Sequence, residues 1–219
     1  MKKIIIISLI LLIGCSNKES EPMITKEDPD QPIDELLDQE ETPQEKENPE
    51  VEFILEDEII TLNTDNITIL GAYLDTVENK DKAIANMNLE KLELDRLYLL
   101  SFNCSSTTCS YLLLDRNEPN RSFLIDDLVY LKEAIPAPDQ SKLVFILDEF
   151  QGDTWKVFNL EAWDTVEFES PVPPEDISIQ SADWLDEESI IIKYQQLPDD
   201  NEQEMIITEK QEQLFDLKD

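Results

Sequence analysis

Histidine is absent from the 219 residues of this chain, and that removes most of the acid–base chemistry a sequence can advertise. There is no Ser-His-Asp constellation, no zinc site built on imidazole, and no side chain with an unperturbed pKa near neutrality. Three glycines with no Gly-rich turn exclude a P-loop and a dinucleotide fingerprint. Sulfur and carboxylate remain. Cys104 and Cys109 stand between apolar runs in "LYLLSFNCSSTTCSYLLLD", a spacing that leaves open a disulfide, two free thiols, or a redox or metal role. Carboxylates are plentiful, 51 Asp and Glu against 17 Lys and Arg. Two of them at the separation glycoside hydrolysis needs would therefore carry little information. "LDEFQGD" (Asp148, Glu149, Asp153) and "LIDDL" (Asp126, Asp127) have the oxygen-rich composition calcium takes. Neither has the spacing of a known calcium loop, so both are expected to be solvated turns. Trp155, Trp163 and Trp184 have the rings to stack on sugars. Trp155 and Trp184 are expected in packing, and Trp163, in the turn "LEAWDTV", is expected to be the exposed one.

The elements that position these residues begin with an address. Lys2 and Lys3 precede an apolar stretch from Ile4 to Ile13, too short for the ~20 residues a membrane span needs and fitting a secretory signal. It closes on Leu12-Ile13-Gly14-Cys15, which resembles the lipobox of bacterial lipoproteins. The resemblance implies cleavage before Cys15 and palmitate-type acyl chains that anchor the protein outside the cytoplasmic membrane. It implies an address and no activity. With Cys15 so used, Cys104 and Cys109 are an even pair in a compartment that permits disulfides. No further His or Cys is left to complete a metal site. The expectation is a structural disulfide closing a turn, with free thiols the main alternative.

Residues 1–14 are thus read as a signal, 15–50 as the lipidated N-terminus with a disordered acidic linker, and 51–219 as a β-rich domain. The linker, rich in Glu, Asp, Pro and Gln, has too little apolar surface to fold alone and reads as an extended spacer. A docking motif around Ile33 to Leu37 is the sharper alternative. Within the domain one helix is expected over Asp75–Met87, with Asp75 and Glu78 at capping-box spacing.

The rest reads as strands that repeat. "LYLLSFN" at Leu97, "KLVFILD" at Lys142 and "SIIIKYQ" at Ser189 are each followed by a second strand at Ser110, Trp155 and Glu204, and by a third at Arg121, Thr165 and Glu212. "NLEKLEL", "VYLKEAI" and "DISIQSA" precede them. Four strands in a period of about 45 residues is the pattern of propeller blades. "APDQSKLVFILDE" resembles the TolB-type propeller repeat, with Gln140 where that family has glycine, and "SADWLDEESIIIKY" resembles a degenerate form of the same junction. The fold expected is mainly β: about three four-stranded propeller-like blades, open or incomplete, with one N-terminal helix after the linker.

A formal charge of −34 repels nucleic acid and anionic head groups. The expectation is a membrane-anchored extracytoplasmic binding or scaffolding module without catalytic residues, metal or cofactor. Its partner would be an envelope protein, a wall glycan or a peptide. An envelope carbohydrate hydrolase using paired carboxylates is the alternative, and an ion-buffering acidic surface protein is a third reading.

Overall fold

The computed structural model describes residues 23–27, 50–56, 58–117, 120–149, 152–173, 177–196 and 201–210. The architecture is mainly β, in three antiparallel sheets with two short helices. β1 (Ile24–Glu27), β2 (Glu50–Ile54) and β3 (Ile59–Asn63) form the first sheet with β3 in the middle. After α1 (Thr68–Thr76) and α2 (Lys80–Ala85), seven strands follow in chain order across one sheet: β4 (Asn88–Lys91), β5 (Leu97–Phe102), β6 (Cys109–Asp115), β7 (Arg121–Pro136), β8 (Lys142–Glu149), β9 (Gly152–Asn159) and β10 (Asp164–Val166). The last sheet has the order β11 (Phe168–Glu169), β14 (Glu202–Glu209), β13 (Ser189–Gln196), β12 (Ile177–Trp184).

The long strand β7 explains the seven-stranded sheet. Arg121 to Val129 pair with β6, whereas Tyr130 to Pro136 pair with β8. Leu128 at φ 55° and a register shift between Leu131 and Glu133 mark the bend. Irregularities of this kind turn a strand, and here they fold the sheet over on itself. Leu99, Leu113 and Ile125 of its first half share a core with Leu143, Phe145 and Phe158 of its second. Two strand groups that the sequence presents as separate units are thus one continuous sheet.

Three apolar layers result. The first lies between the N-terminal sheet with its helices and β4–β6, the second between the halves of the folded sheet, and the third between β8–β9 and the last sheet. Strand side chains alternate in direction, so a strand between two layers must be apolar throughout. In β5, Leu97 and Leu99 enter the second layer while Tyr98, Leu100 and Phe102 enter the first. In β8, Leu143, Phe145 and Leu147 face the second and Val144 and Ile146 the third. β13 lies at the end of the stack, and alternation returns: Ile190, Ile192 and Tyr194 are buried and the residues between them half-exposed.

The strand starts expected at Leu97, Lys142 and Ser189 are found there. Their repetition extends to the backbone. The residue before each start accepts a hydrogen bond from the residue just past or ending the second strand: Arg116 N to Arg96 O at 3.0 Å, Leu160 N to Ser141 O at 2.9 Å, and Glu209 N to Glu188 O at 2.8 Å.

Two expectations are corrected, and a third falls outside the described residues. The single helix expected over Asp75–Met87 is only α2 there, because Val77 is extended (ψ 142°) and Asn79, accepting from Lys82 N at 2.9 Å, caps that short helix, while α1, ending at Thr76, lies almost wholly before the expected start. The linker expected over 15–50 contains β1, whose Ile24 is buried in the first layer with Met23 packed beside it; a β-branched residue with an apolar neighbour was enough to complete an edge. Beside β14, where a strand at Glu212 is expected, the described neighbour is β11, and Glu212 lies outside the described residues.

The turn before β8 carries the first prediction. Gln140 is exposed at φ 63°, with its N–H on Ala137 O at 2.9 Å, while Asp139 Oδ1 accepts from Ser141 N at 2.9 Å. A side chain in the left-handed region costs ~1–2 kcal/mol, partly offset by the greater unfolded-state entropy of glycine. Gln140→Gly is expected to stabilise by about 0.5–1 kcal/mol, read as a higher urea midpoint at unchanged m-value.

Candidate functional site

Cys104 and Cys109 sit at the tip of the β5–β6 hairpin, where Phe102 opposes Ser110. The turn is closed by Ser105 N donating to Thr108 O at 2.8 Å and by the two side-chain hydroxyls at 2.8 Å. Asn103, at φ 51°, supplies the reversal. The structure joins the two cysteines, their Cα atoms 4.1 Å apart. Behind the tip, Ser110 donates to Asp127 on β7.

The most deeply buried carboxylate among the described residues is elsewhere. Glu58 precedes β3, its side chain wholly buried. One oxygen accepts from Tyr98 Oη at 2.9 Å and faces Lys91 Nζ at 3.2 Å; the other lies 2.8 Å from Lys26 Nζ on β1. Burial pushes the carboxyl up, but bonding from Lys26, Tyr98 and Lys91 outweighs it and holds the group below its ordinary 4.5. Burial and the same hydrogen bond push the Tyr98 phenol up. This cluster was not singled out from sequence. The signal was Tyr98 inside an apolar run, since a buried phenol needs a partner; which of the nearby acids answers it is a tertiary fact.

The five acids weighed for calcium are dispersed. Asp153 accepts from Lys132 Nζ and Ile179 N, joining the second sheet to β12. Asp126 pairs with Lys156 at 2.5 Å. Asp127 serves Ser110, and Asp148 and Glu149 are exposed at the end of β8. Among the described residues no group of acids or cysteines is placed to hold a metal ion. Cys15 and the Ile33–Leu37 segment lie outside the described residues.

Trp184 donates Nε1–H to Ile135 O at 3.1 Å and meets Phe168 edge-on, inside the third layer with Trp155. Trp163 corrects the expectation of an exposed ring. It is half-buried, with Phe158 edge-on at 5.1 Å and the Arg121 guanidinium 4.3 Å above it. The guanidinium covers one face, and the ring lines a concavity of about 430 Å³ with Leu94, Asp95 and Leu97.

A cleft of about 490 Å³ opens where the chain crosses from β10 to β11, the edges of two different sheets. Trp155 and Phe168 form its apolar wall, and Thr165, Lys156, Lys210 and Glu169 its polar rim. Lys156 is held by Asp126 and donates to Ile125 O at 3.0 Å; Lys210 reaches Glu167 at 2.9 Å, which raises its pKa. An aromatic wall with a polar rim suits a sugar ring or a peptide side chain. Asp139 and Asp186, in equivalent turns, are lowered by bonds from Ser141 and from Glu188 N respectively.

Two outcomes are expected. Glu58 is lowered in the fold, so its stabilisation is full above about 4.5, the unfolded value, and is lost as pH falls through the lower folded value. Glu58→Gln should cost about 1–3 kcal/mol at neutral pH, with the gap to wild type shrinking in urea titrations below that point. The disulfide closes a ring of only six residues, so Cys104→Ser/Cys109→Ser should cost about 2 kcal/mol by chain entropy, and thiol titration of the unreduced protein should find neither sulfur free. Against this geometry, no family model, no curated protein and no solved structure matches the chain.

Proposed function

We propose that this chain is an extracytoplasmic lipoprotein, anchored through acyl chains on Cys15, whose stacked sheets form a non-catalytic binding or scaffolding module of the cell envelope. The observation that carries the reading is the Leu12-Ile13-Gly14-Cys15 motif closing a basic-then-apolar segment too short to span. The joined pair at an exposed hairpin tip fits an oxidising compartment. The negative charge fits a body that stands off an anionic bilayer.

The finer reading of the fold is an open, propeller-like stack of three four-stranded blades. A period of about 45 residues and the three equivalent backbone bonds support it. The cleft beneath the β10–β11 crossing supports a glycan or peptide ligand, through Trp155 and Phe168. A hydrolase would need one carboxyl kept protonated near neutrality, whereas Glu58, Asp139 and Asp186 shift downward.

Intact-protein mass spectrometry of membrane and soluble fractions tests the anchor. The mature chain is expected to begin at Cys15 carrying acyl mass, and Cys15→Ala is expected to lose it and to stay uncleaved. A wild-type chain without acyl mass would overturn the assignment. Crosslinking in intact cells tests the module: a discrete captured protein or glycan is expected, and recovery of unselective wall polymer alone would sink a protein-partner role.

A further inference from the structure

Strand β1 changes what the N-terminal segment can do. Its four residues pair along their whole length with β3, Ile24 with Leu62 through Glu27 with Ile59. Just before it, Met23 O accepts from Asn63 N at 2.9 Å. Ile24 is 3% exposed in the first apolar layer, and Lys26 reaches Glu58 at 2.8 Å. The chain is therefore fixed to the body over Met23 to Glu27. β2 pairs with the other side of β3, Val51 opposite the same Leu62 that Ile24 opposes. Residues 28–49 thus start and finish on one sheet. While β1 is paired, they add nothing to the distance between Cys15 and the body.

We propose that β1 is a releasable clasp that sets the length of the membrane tether. This rests on the reading of Cys15 as the anchor point. Clasped, only the eight residue steps from Cys15 to Met23 span the gap, at most about 25–30 Å when fully extended. Released, the chain up to Glu50 becomes tether, with a ceiling of roughly 120 Å. The long acidic segment is then a reserve of length held on the body, and it acts as a spacer only after release.

The contacts suit a reversible device. β1 is an edge strand bonded to one neighbour, and Ile24 is its only buried side chain among the described residues. Such a strand belongs to the low end of the local stability range. The ion pair described for β1 is with Glu58 Oε2; when Lys26 leaves, Oε1 keeps Tyr98 and Lys91, so the carboxylate retains a counter-charge and release costs it the Lys26 contact alone. A load acts in the releasing direction, because the acidic body is repelled by an anionic surface.

The test separates the clasp from native lipidation. The mature chain, with Cys104 and Cys109 oxidised, is coupled through Cys15 to a maleimide lipid in a supported phosphatidylcholine bilayer, and neutron reflectometry reads the height of the protein layer. A twenty-residue Gly-Ser insertion after Gln39 is expected to leave the height unchanged. The same insertion after Lys18 should raise it by about 25 Å, the root-mean-square span of such a linker. Ile24→Asp should raise the height by itself and make it respond to the Gln39 insertion, with the urea midpoint of the body showing that the sheets persist. A wild-type height that rises with the Gln39 insertion would overturn the clasp, since the insertion lies in the chain between β1 and β2. So would an Ile24→Asp layer at wild-type height. Failure of native acylation would appear only in the mass of the N-terminus and leaves this experiment standing.

Discussion

The middle strands of this protein carry apolar side chains on both faces, and a sheet made of them cannot meet water on either side. β5 and β8 set this condition, with Leu97, Leu99 and Leu143, Phe145, Leu147 on one side and Tyr98, Leu100, Phe102 and Val144, Ile146 on the other. Each layer therefore needs a neighbour. Burial of large apolar side chains contributes ~1.5–3 kcal/mol apiece, and here most of it is realised only between sheets. The bend in β7 meets the need locally by folding one sheet over on itself. At the two ends the requirement is relaxed by composition. β13 alternates, and in the first sheet β2 places Val51 inward and Glu50 and Glu52 outward.

With three acids for every base, where the bases go is a second constraint. Several lysines, partly exposed along their stems, place their ammonium groups at joints. Lys132 ties Asp153 and Ile179 O across the second and last sheets, and Lys142 does the same with Glu187 O and Glu209. Lys156 links β9 to Asp126 and Ile125 O on β7. Lys26 and Lys91 converge on Glu58 from two different sheets. Surface ion pairs are worth little, but these lysines also satisfy backbone carbonyls or buried carboxylates. Removing one would leave a desolvated acceptor, which is the costly case.

This division shows what could be read in advance. The repeat strands were legible because doubly buried strands are unbroken apolar runs of strand length, and because Asp139 and Asp186 mark the turns before two of them. The pairing of β7 with both neighbours was not, since nothing in "RSFLIDDLVYLKEAIP" announces that one strand serves two halves of a sheet. β1 was hidden for a different reason. Four residues inside an acidic, proline-rich segment cannot form a strand alone, and only the open edge of β3 makes them one. Trp163 was misplaced because its turn signal said exposure, while its packing against Phe158 is invisible in sequence. The cleft belongs to this group as well, since it arises between sheets rather than within a segment.

The irregular places are those where function is most economically sought. Three of the junctions along the stack obey one rule, the backbone bond from the end of the second strand to the residue before the first. Where the rule holds, the layers close. It lapses at the β10–β11 crossing, where strands of three and two residues replace a full edge and a cleft opens beside Trp155 and Phe168. It is also absent at β1, which comes from the acidic N-terminal segment. Packing cannot explain a gap or a four-residue edge strand, because a longer strand would bury more at either place. Both features weaken the stack where an incoming group or an outgoing strand would have to act, and that locates the adaptable parts of an otherwise saturated core.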